Sequence, residues 1–221
     1  MSGMSGMNGM SGMNGHRRIT AGLVDYGAGN LASVARALTG LGYRARISRD
    51  IETLGSTDVL VLPGVGAFPA AMAALHQHRL VDFIQGQARR GQPIIGICLG
   101  MQLLAHSSAE QGFTTGLGLI PGQVLPLQTA RWHIGWNSME VTTDDPLLRP
   151  SDGLSMYFNH SFVFHAPAEY TAAVSRVDDA PDRAFAVAVR RNNIVGLQFH
   201  PEKSQLAGRA LLKNVIEGLL P

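Results

Sequence analysis

The hydrophobic pattern of the chain begins near Ile19 with an apolar run that is followed by an amphipathic segment. Residues 19–26, ITAGLVDY, are almost continuously apolar, as is typical of a strand buried on both faces of a sheet. After a glycine-rich turn, apolar residues recur at helical spacing at Leu31, Val34, Ala35, Leu38 and Leu41. Asn30 is a candidate N-cap of this helix, and Gly42 lies just beyond its end. The pattern predicts one strand-helix unit.

The same alternation continues through the first half of the chain. Residues 44–48 predict a second short strand, 58–64 a third and 93–98 a fourth, and a long helix is predicted over about residues 69–90. Strands that alternate with helices form parallel sheets, because each helix carries the chain back to the edge from which the next strand starts. The first half therefore predicts an open parallel sheet flanked by helices.

After about residue 120 the pattern changes to short strands with little helix between them. The candidate strands are WHIGWNSMEV (132–141), LSMYFNHSFVF (154–164), YTAAVSRV (170–177), FAVAVRR (185–191) and NIVGLQF (193–199). The last two flank Asn192 and Asn193 at a spacing typical of a hairpin. A closing helix is predicted to pack through Leu211, Leu212, Val215, Ile216 and Leu219. We expect an α/β fold, with an open, mostly parallel sheet flanked by helices and an antiparallel extension in the C-terminal half.

Composition narrows the class of protein. The chain has 221 residues, of which 45% are hydrophobic, enough for one sizeable core. Lys and Arg total 18 against 16 Asp and Glu, a formal net charge of +2, and no dense basic block indicates nucleic-acid binding. No apolar run reaches the roughly 18 residues that a membrane span needs. We expect a soluble protein with no nucleic-acid or membrane partner.

The first fifteen residues, MSGMSGMNGMSGMNG, place glycine at every third position. The repeat lacks the proline and the length of a collagen triple helix, and it has neither the basic start nor the apolar run of a signal peptide. We therefore predict a disordered tail over residues 1–18 and a single domain over residues 19–221.

The single cysteine is the first candidate for chemistry. One cysteine excludes an internal disulfide framework and favours a reducing compartment, so we expect a cytoplasmic protein. Cys98 lies where a predicted strand turns into a helix, between Gly96 and Gly100 in GICLGMQLL. A lone cysteine is often a small buried filler, but this pattern resembles a nucleophile elbow, in which small residues permit a sharp turn that exposes the central side chain. At a helix N-terminus the reactive thiolate is favoured, and the Leu99 N–H would face a developing oxyanion.

A base for this thiol is available in LQFHPEKS, residues 197–204. His200 ends an apolar strand, and Glu202 lies two residues on, close to the spacing at which strand side chains share a face. Its carboxylate would then fix the tautomer of the imidazole, as a base for a thiol nucleophile requires. The H-x-E spacing is weak by itself, so the candidate triad depends on Cys98, His200 and Glu202 together.

These three residues resemble the triad of the class I glutamine amidotransferases. GICLGMQLL is similar to the nucleophile elbow of that family, and QFHPE is similar to its second signature. Further segments are similar to the glutaminase subunits of imidazole glycerol phosphate synthases, of histidine biosynthesis, namely VDYGAGNLASV, PGVGAF, GLGLIPG, HIGWNSM, YFNHSF and FHPEKSQ. The likeness runs from about residue 19 to the end of the chain. It implies a flavodoxin-like amidotransferase fold.

The resemblance implies a role for each matching residue. Cys98 would attack the side-chain carboxamide of glutamine, giving a glutamyl thioester and ammonia. His200, held by Glu202, would protonate the leaving amine and later activate water. The N–H groups of Leu99 and Val65 would form the oxyanion hole, after a peptide flip made easier by the glycines on both sides of Val65. Recognition of glutamine is implied for Gln102, Glu110, His160, Ser161 and Phe162.

The resemblance also implies a partner. In the family, the region of HIGWN and YFNH faces a (β/α)8-barrel cyclase subunit, which would form a heterodimer with this chain and take ammonia through its interior. Trp136 and Tyr157 are similar to residues of that interface, and buried core aromatics are the competing interpretation. The products would be imidazole glycerol phosphate and aminoimidazole carboxamide ribonucleotide. No metal and no organic cofactor is implied.

Three features depart from the family pattern. Asn159 and Phe162 stand in YFNHSF where an apolar residue and often a tyrosine are expected, and TARWH lacks a proline before HIGWN. These departures leave open a paralogue that feeds ammonia to a different barrel partner. The motifs are also compatible with a different triad amidotransferase, a free-standing γ-glutamyl hydrolase or a non-catalytic binding subunit. For Glu110, a solvated loop carboxylate competes with a role in the pocket.

Overall fold

A computed structural model describes residues 17–128, 131–177 and 184–220. The strands are β1 (Thr20–Val24), β2 (Arg44–Ser48), β3 (Val59–Gly64), β4 (Ile94–Cys98), β5 (Ser107–Ser108), β6 (Thr114–Thr115), β7 (Gln123–Pro126), β8 (His133–Ser138), β9 (Glu140–Val141), β10 (Ser155–His160), β11 (Phe162–His165), β12 (Thr171–Arg176), β13 (Ala184–Arg191) and β14 (Ile194–Leu197). The α-helices are α1 (Leu31–Gly40), α2 (Ile51–Gly55), α3 (Phe68–Gln77), α4 (Leu80–Arg89), α5 (Leu99–Leu103) and α6 (Gln205–Leu219). Single 3₁₀ turns lie at Arg149–Ser151, Ala168–Tyr170 and Pro201–Lys203. Residues 1–16 of the predicted tail lie outside the described residues.

The main sheet has eight strands in the order β2-β1-β3-β4-β14-β13-β12-β9. The first five run parallel, whereas β13, β12 and β9 add to them in antiparallel fashion. This arrangement confirms the predicted fold class. The parallel strands end at one edge, where Gly64 of β3 is the register partner of Cys98 in β4, and Leu197 of β14 is the partner of Ile97. The two chain segments that carry the predicted triad therefore leave the sheet side by side.

Helices cover both faces of the inner parallel strands, which explains why β1, β3, β4 and β14 are almost continuously apolar in sequence, whereas the edge strand β2 is not. Along β3, Val59 and Val61 pack into the core that contains α1 and α6, whereas Leu60 and Leu62 pack into the core that contains α3, α4 and α5. All four side chains are buried. Burial of an aliphatic side chain of this size contributes about 1.5–3 kcal/mol, so this strand alone adds substantially to the free energy of unfolding.

The long helix predicted over residues 69–90 is wrong, because two helices occupy the region. The helix α3 ends at Gln77 and α4 begins at Leu80, and Arg79 between them has a left-handed φ of 57°. An unbroken helix of that span would be roughly 33 Å long, whereas a strand of five or six residues measures about 17–20 Å. The bend gives two ten-residue helices that match the strands, and it keeps Leu75 and Leu80 buried on the same side of the sheet.

The ends of α1 agree with the prediction in position but not in the side-chain cap. Asn30 occupies the N-cap position, yet its side chain makes no capping hydrogen bond, and only its backbone carbonyl accepts from the N–H groups of Ser33 and Val34. Gly42 follows the helix with a φ of 91°, as a residue beyond a helix C-terminus commonly does.

Within the described part of the chain, no helix combines the length and apolar character required to cross a membrane.

The C-terminal half contains the predicted hairpin and helix, but two of its predicted strands are divided. In the hairpin Arg191 of β13 pairs with Ile194 of β14, and α6 packs on the sheet through the predicted apolar face. The segment 132–141 forms β8 and β9, and the segment 154–164 forms β10 and part of β11. The strand β10 pairs with β8, whereas β11 belongs to a small sheet in the order β11-β7-β5-β6. The chain changes sheets at Ser161, and this change brings residues 160–162 close to Cys98.

Candidate active site

Cys98 stands on a sharp turn between β4 and α5, as the elbow pattern predicts. Its φ of 55° and ψ of −113° are strained for a residue other than glycine, a feature that is common at functional sites. The turn depends on the two flanking glycines. A Cβ on Gly96 would lie 2.5 Å from the carbonyl oxygen of Gly100, and a Cβ on Gly100 would lie 1.7 Å from that of Leu62. Small residues are therefore required at both positions by backbone contact.

His200 and Glu202 are held together at the carboxyl end of β14. The Nδ1 atom of His200 lies 2.9 Å from Oε1 of Glu202, and both side chains are almost fully buried. The His200 backbone N–H donates to the carbonyl of Tyr157 at 2.8 Å, and the Ser204 hydroxyl donates to the His200 carbonyl at 2.7 Å. The two residues do not share a strand face, contrary to the expectation from their spacing. Glu202 instead lies in the 3₁₀ turn 201–203, which folds its carboxylate back onto the ring.

The environment of His200 keeps its ring charged. Burial by itself lowers the pKa of His200, but the interaction with Cys98 and then the hydrogen bond to Glu202 outweigh it and raise the pKa to about 9. Because a carboxylate accepts from Nδ1–H, the other ring nitrogen is left for the side of Cys98. A protonated imidazole in this position can stabilise a thiolate and donate a proton to a leaving group.

A cavity of about 330 Å³ opens above the cysteine. It brings together the residues predicted for chemistry and for glutamine recognition, namely Val65, Cys98, Leu99, Gln102, Glu110, His160, Ser161, Phe162 and His200. Glu202 lies behind His200 and does not line the cavity, as expected for a residue that orients the ring. Among the described residues, no group of three or more His, Cys, Asp and Glu side chains is arranged to hold a metal ion.

Two of the predicted pocket side chains are tied to backbone around the cavity. Gln102 donates from Nε2 to the carbonyl of Phe162 at 3.0 Å and to Oε1 of Gln198 at 3.1 Å. Glu110 accepts from the N–H of Phe68, at the start of α3, at 2.8 Å. Glu110 is half-buried and lies beside the cavity, and its role in the pocket stays a prediction. Because these hydrogen bonds already hold both side chains, binding of a ligand beside them would cost little further side-chain entropy.

Comparison with known proteins identifies the family. A model of the glutamine amidotransferase class-I family matches residues 22–218. The chain belongs to the class-I glutamine amidotransferase family. Among similar proteins, "Imidazole glycerol phosphate synthase subunit HisH" of Streptococcus gordonii is 41% identical over 199 residues, covering 88% of this chain and 94% of that protein. The protein of the same name from Lactococcus lactis subsp. lactis is 41% identical over 198 residues, covering 88% of this chain and 96% of its own.

Solved amidotransferase structures share the fold at much lower sequence identity. The structure described as "PurLQS from Thermotoga maritima" superposes with a TM-score of 0.73 at 20% identity, covering 91% of this chain and 99% of that one. A glutamine amidotransferase from the same organism superposes with a TM-score of 0.67 at 16% identity, covering 91% and 100% of the two chains. At these identities the likeness establishes the amidotransferase fold alone.

Two residues of this amidotransferase site were missed by the sequence analysis although they lie next to the cysteine. Gln198 is fully buried, and its Nε2 lies 3.9 Å from the Cys98 sulfur. The backbone carbonyl of Asn159 lies 3.9 Å from the same sulfur. The signal for Gln198 was available, because it precedes His200 by two residues in a strand-like segment. No sequence signal points to the Asn159 carbonyl, because a backbone group carries no residue identity.

The two predicted interface residues of the amidotransferase lie beside the cavity and do not line it. Trp136 on β8 is 50% exposed, and its ring meets the half-buried ring of Tyr157 on β10 edge-on, with centroids 6.0 Å apart. The Nζ atom of Lys203 lies 5.7 Å from the centroid of the Tyr157 ring. Ile134, also on β8, is 62% exposed. The interpretation of Trp136 as a buried core aromatic is therefore wrong.

Proposed function

We propose that this chain is the glutaminase subunit of an imidazole glycerol phosphate synthase, which hydrolyses glutamine and supplies ammonia to a cyclase subunit. The observation that carries the proposal is that Cys98 and His200 line a cavity large enough for an amino acid, with Glu202 hydrogen-bonded to His200 behind it. The identity of about 40% to the HisH subunits over 88% of the chain supports the assignment to this synthase over other amidotransferases.

In the proposed reaction, the Cys98 thiolate attacks the side-chain carbonyl carbon of glutamine and forms a tetrahedral intermediate. His200 donates its proton to the departing nitrogen, which leaves as ammonia, and a glutamyl thioester remains on Cys98. His200, now neutral, takes a proton from a water molecule that attacks the thioester. The thiolate leaves, glutamate is released and the protonated ring is restored. Glu202 holds the ring through Nδ1 during both steps.

The negative charge of the tetrahedral intermediate needs two donors, and we assign them to the N–H groups of Leu99 and Val65. Leu99 follows the nucleophile directly and begins α5. Val65 lies in the loop after β3, lines the cavity and is 43% exposed. Gly66 beside it has a φ of 102° and no atom within 4 Å of a Cβ position, so the peptide has room to rotate.

Glutamine is placed in the cavity by charge and by hydrogen bonding. We assign the Glu110 carboxylate to the α-ammonium group of the substrate, because a charge-assisted hydrogen bond is the strongest polar contact that the cavity offers such a group. Gln102 and residues 160–162 line the same cavity. A glutamine held at its amino-acid end then presents its carboxamide to Cys98.

The partner in this proposal is a (β/α)8-barrel cyclase that forms a heterodimer with the chain. The exposed apolar side chains of Ile134 and Trp136 lie on β8, where Ile134 is the register partner of Asn159 in the cavity lining, and aromatic groups such as Trp136 are enriched at the centre of interfaces. Docking there would let ammonia pass to the partner without release into water.

The proposal also includes a cytoplasmic location, which a lone thiol favours. It further includes a tail over residues 1–18 that lies outside the amidotransferase domain, and the family match beginning at residue 22 supports this boundary.

The test is glutamate release from glutamine by the chain alone, with its cognate cyclase subunit, and with that subunit and its nucleotide substrate. The Cys98→Ala variant serves as the blank. We expect weak activity alone and strong activity in the complex. Strong turnover by the isolated chain would instead indicate a free-standing hydrolase. No turnover under any condition would contradict the proposal and indicate a paralogue with another partner or a non-catalytic subunit.

A further inference from the structure

A chain of buried polar side chains lies behind the glutamine cavity and ends at its wall. The Nδ1 atom of His160 lies 3.0 Å from the carbonyl oxygen of Phe162, and Nε2 of His160 lies 3.1 Å from Nδ1 of His133. The Nε2 atom of His133 lies 3.5 Å from Nδ2 of Asn137. Both rings are buried. The proposed chemistry uses neither imidazole, so it does not explain why these two histidines are buried in contact with each other.

The direction of each hydrogen bond is determined from the two ends of this chain. A carbonyl oxygen only accepts, so His160 carries its proton on Nδ1 and its Nε2 accepts from Nδ1–H of His133. At the other end, Oδ1 of Asn137 accepts from the Ser138 N–H at 2.8 Å, and Nδ2 donates to the carbonyl of Arg176. The amide nitrogen of Asn137 therefore faces His133, whose Nε2 accepts. Each imidazole has one proton and two partners.

The surroundings bury both rings and keep them neutral. The ring of Phe158 stacks on His133 with centroids 4.7 Å apart, and Phe185 meets His133 and His160 at 5.4 Å and 5.5 Å. Burial and the neighbouring His133 lower the pKa of His160 to about 3, and burial also lowers the pKa of His133. Because aromatic rings surround the two imidazoles, breaking a hydrogen bond between these side chains would leave a buried ring nitrogen without a partner.

The end of this hydrogen-bonded row at the cavity wall matters because two side chains share the Phe162 carbonyl. It accepts from His160 on one side and from Gln102 on the other, so two side chains of the cavity depend on one peptide group. Residues 160–162 also form the point where the chain passes from β10 to β11. Phe162 begins β11, and its register partner in β7 is Pro126, which has no N–H to donate, so side-chain groups supply the hydrogen bonds of the Phe162 carbonyl.

We infer that His133 is a positioning residue for glutamine binding, which acts through His160 to hold the Phe162 carbonyl and, with it, Gln102. His133 touches neither substrate nor thiol, and its effect passes through hydrogen bonds alone. The inference rests on the proposed glutaminase function, since it concerns the glutamine pocket. It also gives β8 two roles, because Ile134 and Trp136 project from the opposite face of the strand toward the proposed partner.

The test compares three variants in the complex with the cyclase subunit and its nucleotide. His133→Leu keeps the bulk of the ring position but removes the donor, whereas His133→Asn keeps a donor near the position of Nδ1. Phe185→Leu is the matched control, because Phe185 packs on both imidazoles without joining the hydrogen bonds. We expect His133→Leu to raise the KM for glutamine about tenfold with kcat changed less than about twofold, His133→Asn to restore KM to within about threefold, and Phe185→Leu to resemble the unaltered protein.

A second measurement does not depend on any variant folding. Nitrogen-proton correlation spectra of the imidazole rings in the unaltered free chain should show His160 and His133 both protonated on Nδ1. An Nε2-protonated His160 would overturn the inference, as would an equal rise in KM for His133→Leu and Phe185→Leu, or a loss of kcat at unchanged KM. Failure of the glutaminase proposal is distinct from all of these, because it appears as an absence of glutamine hydrolysis by the unaltered complex.

Discussion

Replacement of Gly100 by alanine tests the packing of the nucleophile elbow most directly. Gly100 lies in α5, two residues after Cys98, against the backbone of β3. A Cβ at this position would lie 1.7 Å from the carbonyl oxygen of Leu62 and 2.7 Å from its carbonyl carbon. Because ordinary contact begins at 3.4 Å, the helix and the strand must separate by about 1.7 Å to accept one methyl group.

The structure sets the size of both expected effects. Overpacking a core costs about 1–3 kcal/mol when side chains can adjust, and here the atoms in contact are backbone on a buried strand, so we expect a loss of about 3 kcal/mol in the free energy of unfolding. The same displacement moves Cys98 relative to His200. A misplacement of about 1 Å reduces turnover on the order of 100-fold, and we expect that loss in kcat.

Gly86 in α4 provides the matched control for Gly100→Ala. The nearest atom to a Cβ there is Nη2 of Arg89, at 4.0 Å, so Gly86→Ala meets open space inside a helix. It should raise the free energy of unfolding by about 0.5–1 kcal/mol and leave turnover unchanged. Urea unfolding followed by circular dichroism and glutamine hydrolysis by the complex measure both quantities. If Gly100→Ala unfolds at the same urea concentration as Gly86→Ala and keeps its turnover, the reasoning about the elbow is refuted.

Three further predictions concern the charge on the histidine, the strand that precedes the oxyanion loop and the helix break. In Glu202→Gln the pKa of His200 should fall below about 9, because the carboxylate helps to raise it, and an unchanged value in an NMR titration of the ring would contradict the assigned pair. Tyr26→Phe removes the 2.7 Å hydrogen bond to the Pro63 carbonyl and should lower the free energy of unfolding by about 1 kcal/mol, whereas equal urea midpoints would show that this bond adds nothing. Arg79→Gly relieves a φ of 57° and should stabilise the chain by about 0.5–1 kcal/mol in the same assay, and an unchanged or lower urea midpoint would show that this backbone conformation carries no strain.

Local patterns in the sequence were sufficient to predict most of the main elements and to select Cys98, His200 and Glu202 as the candidate triad. Continuous apolar runs such as 58–64 predict strands buried on both faces, because only a sheet covered by helices on each side needs no polar alternation. The glycines around Cys98 and the two-residue spacing of His200 and Glu202 are also local features. In the structure, close backbone contacts require the glycines, and the 3₁₀ turn 201–203 brings Glu202 onto His200. The family signatures extended these predictions to the cavity, whose lining includes Val65 and Glu110.

Features that depend on contacts between distant segments were not predictable in the same way. The break at Arg79 interrupts a segment whose apolar pattern continues on both sides, and the reason for it is the length of the strands that the helices cover. The anchor of Glu110 is the N–H of Phe68, 42 residues away. The contact of His133 with His160 spans 27 residues and depends on the pairing of β8 with β10. Neither distance leaves a periodic trace in the sequence.

The sequence by itself determined most of the segments that form strands and helices, the side chains that are candidates for the chemistry and the family that the chain resembles, because apolar periodicity, turn residues and reactive groups are properties of neighbouring positions. The tertiary structure decided which of those groups meet. It placed Gln198 against the Cys98 sulfur, folded Glu202 back onto His200 through a 3₁₀ turn and joined His133 to the pocket wall. Those contacts follow from strand order and register, which are determined only when the whole sheet buries its two faces at once.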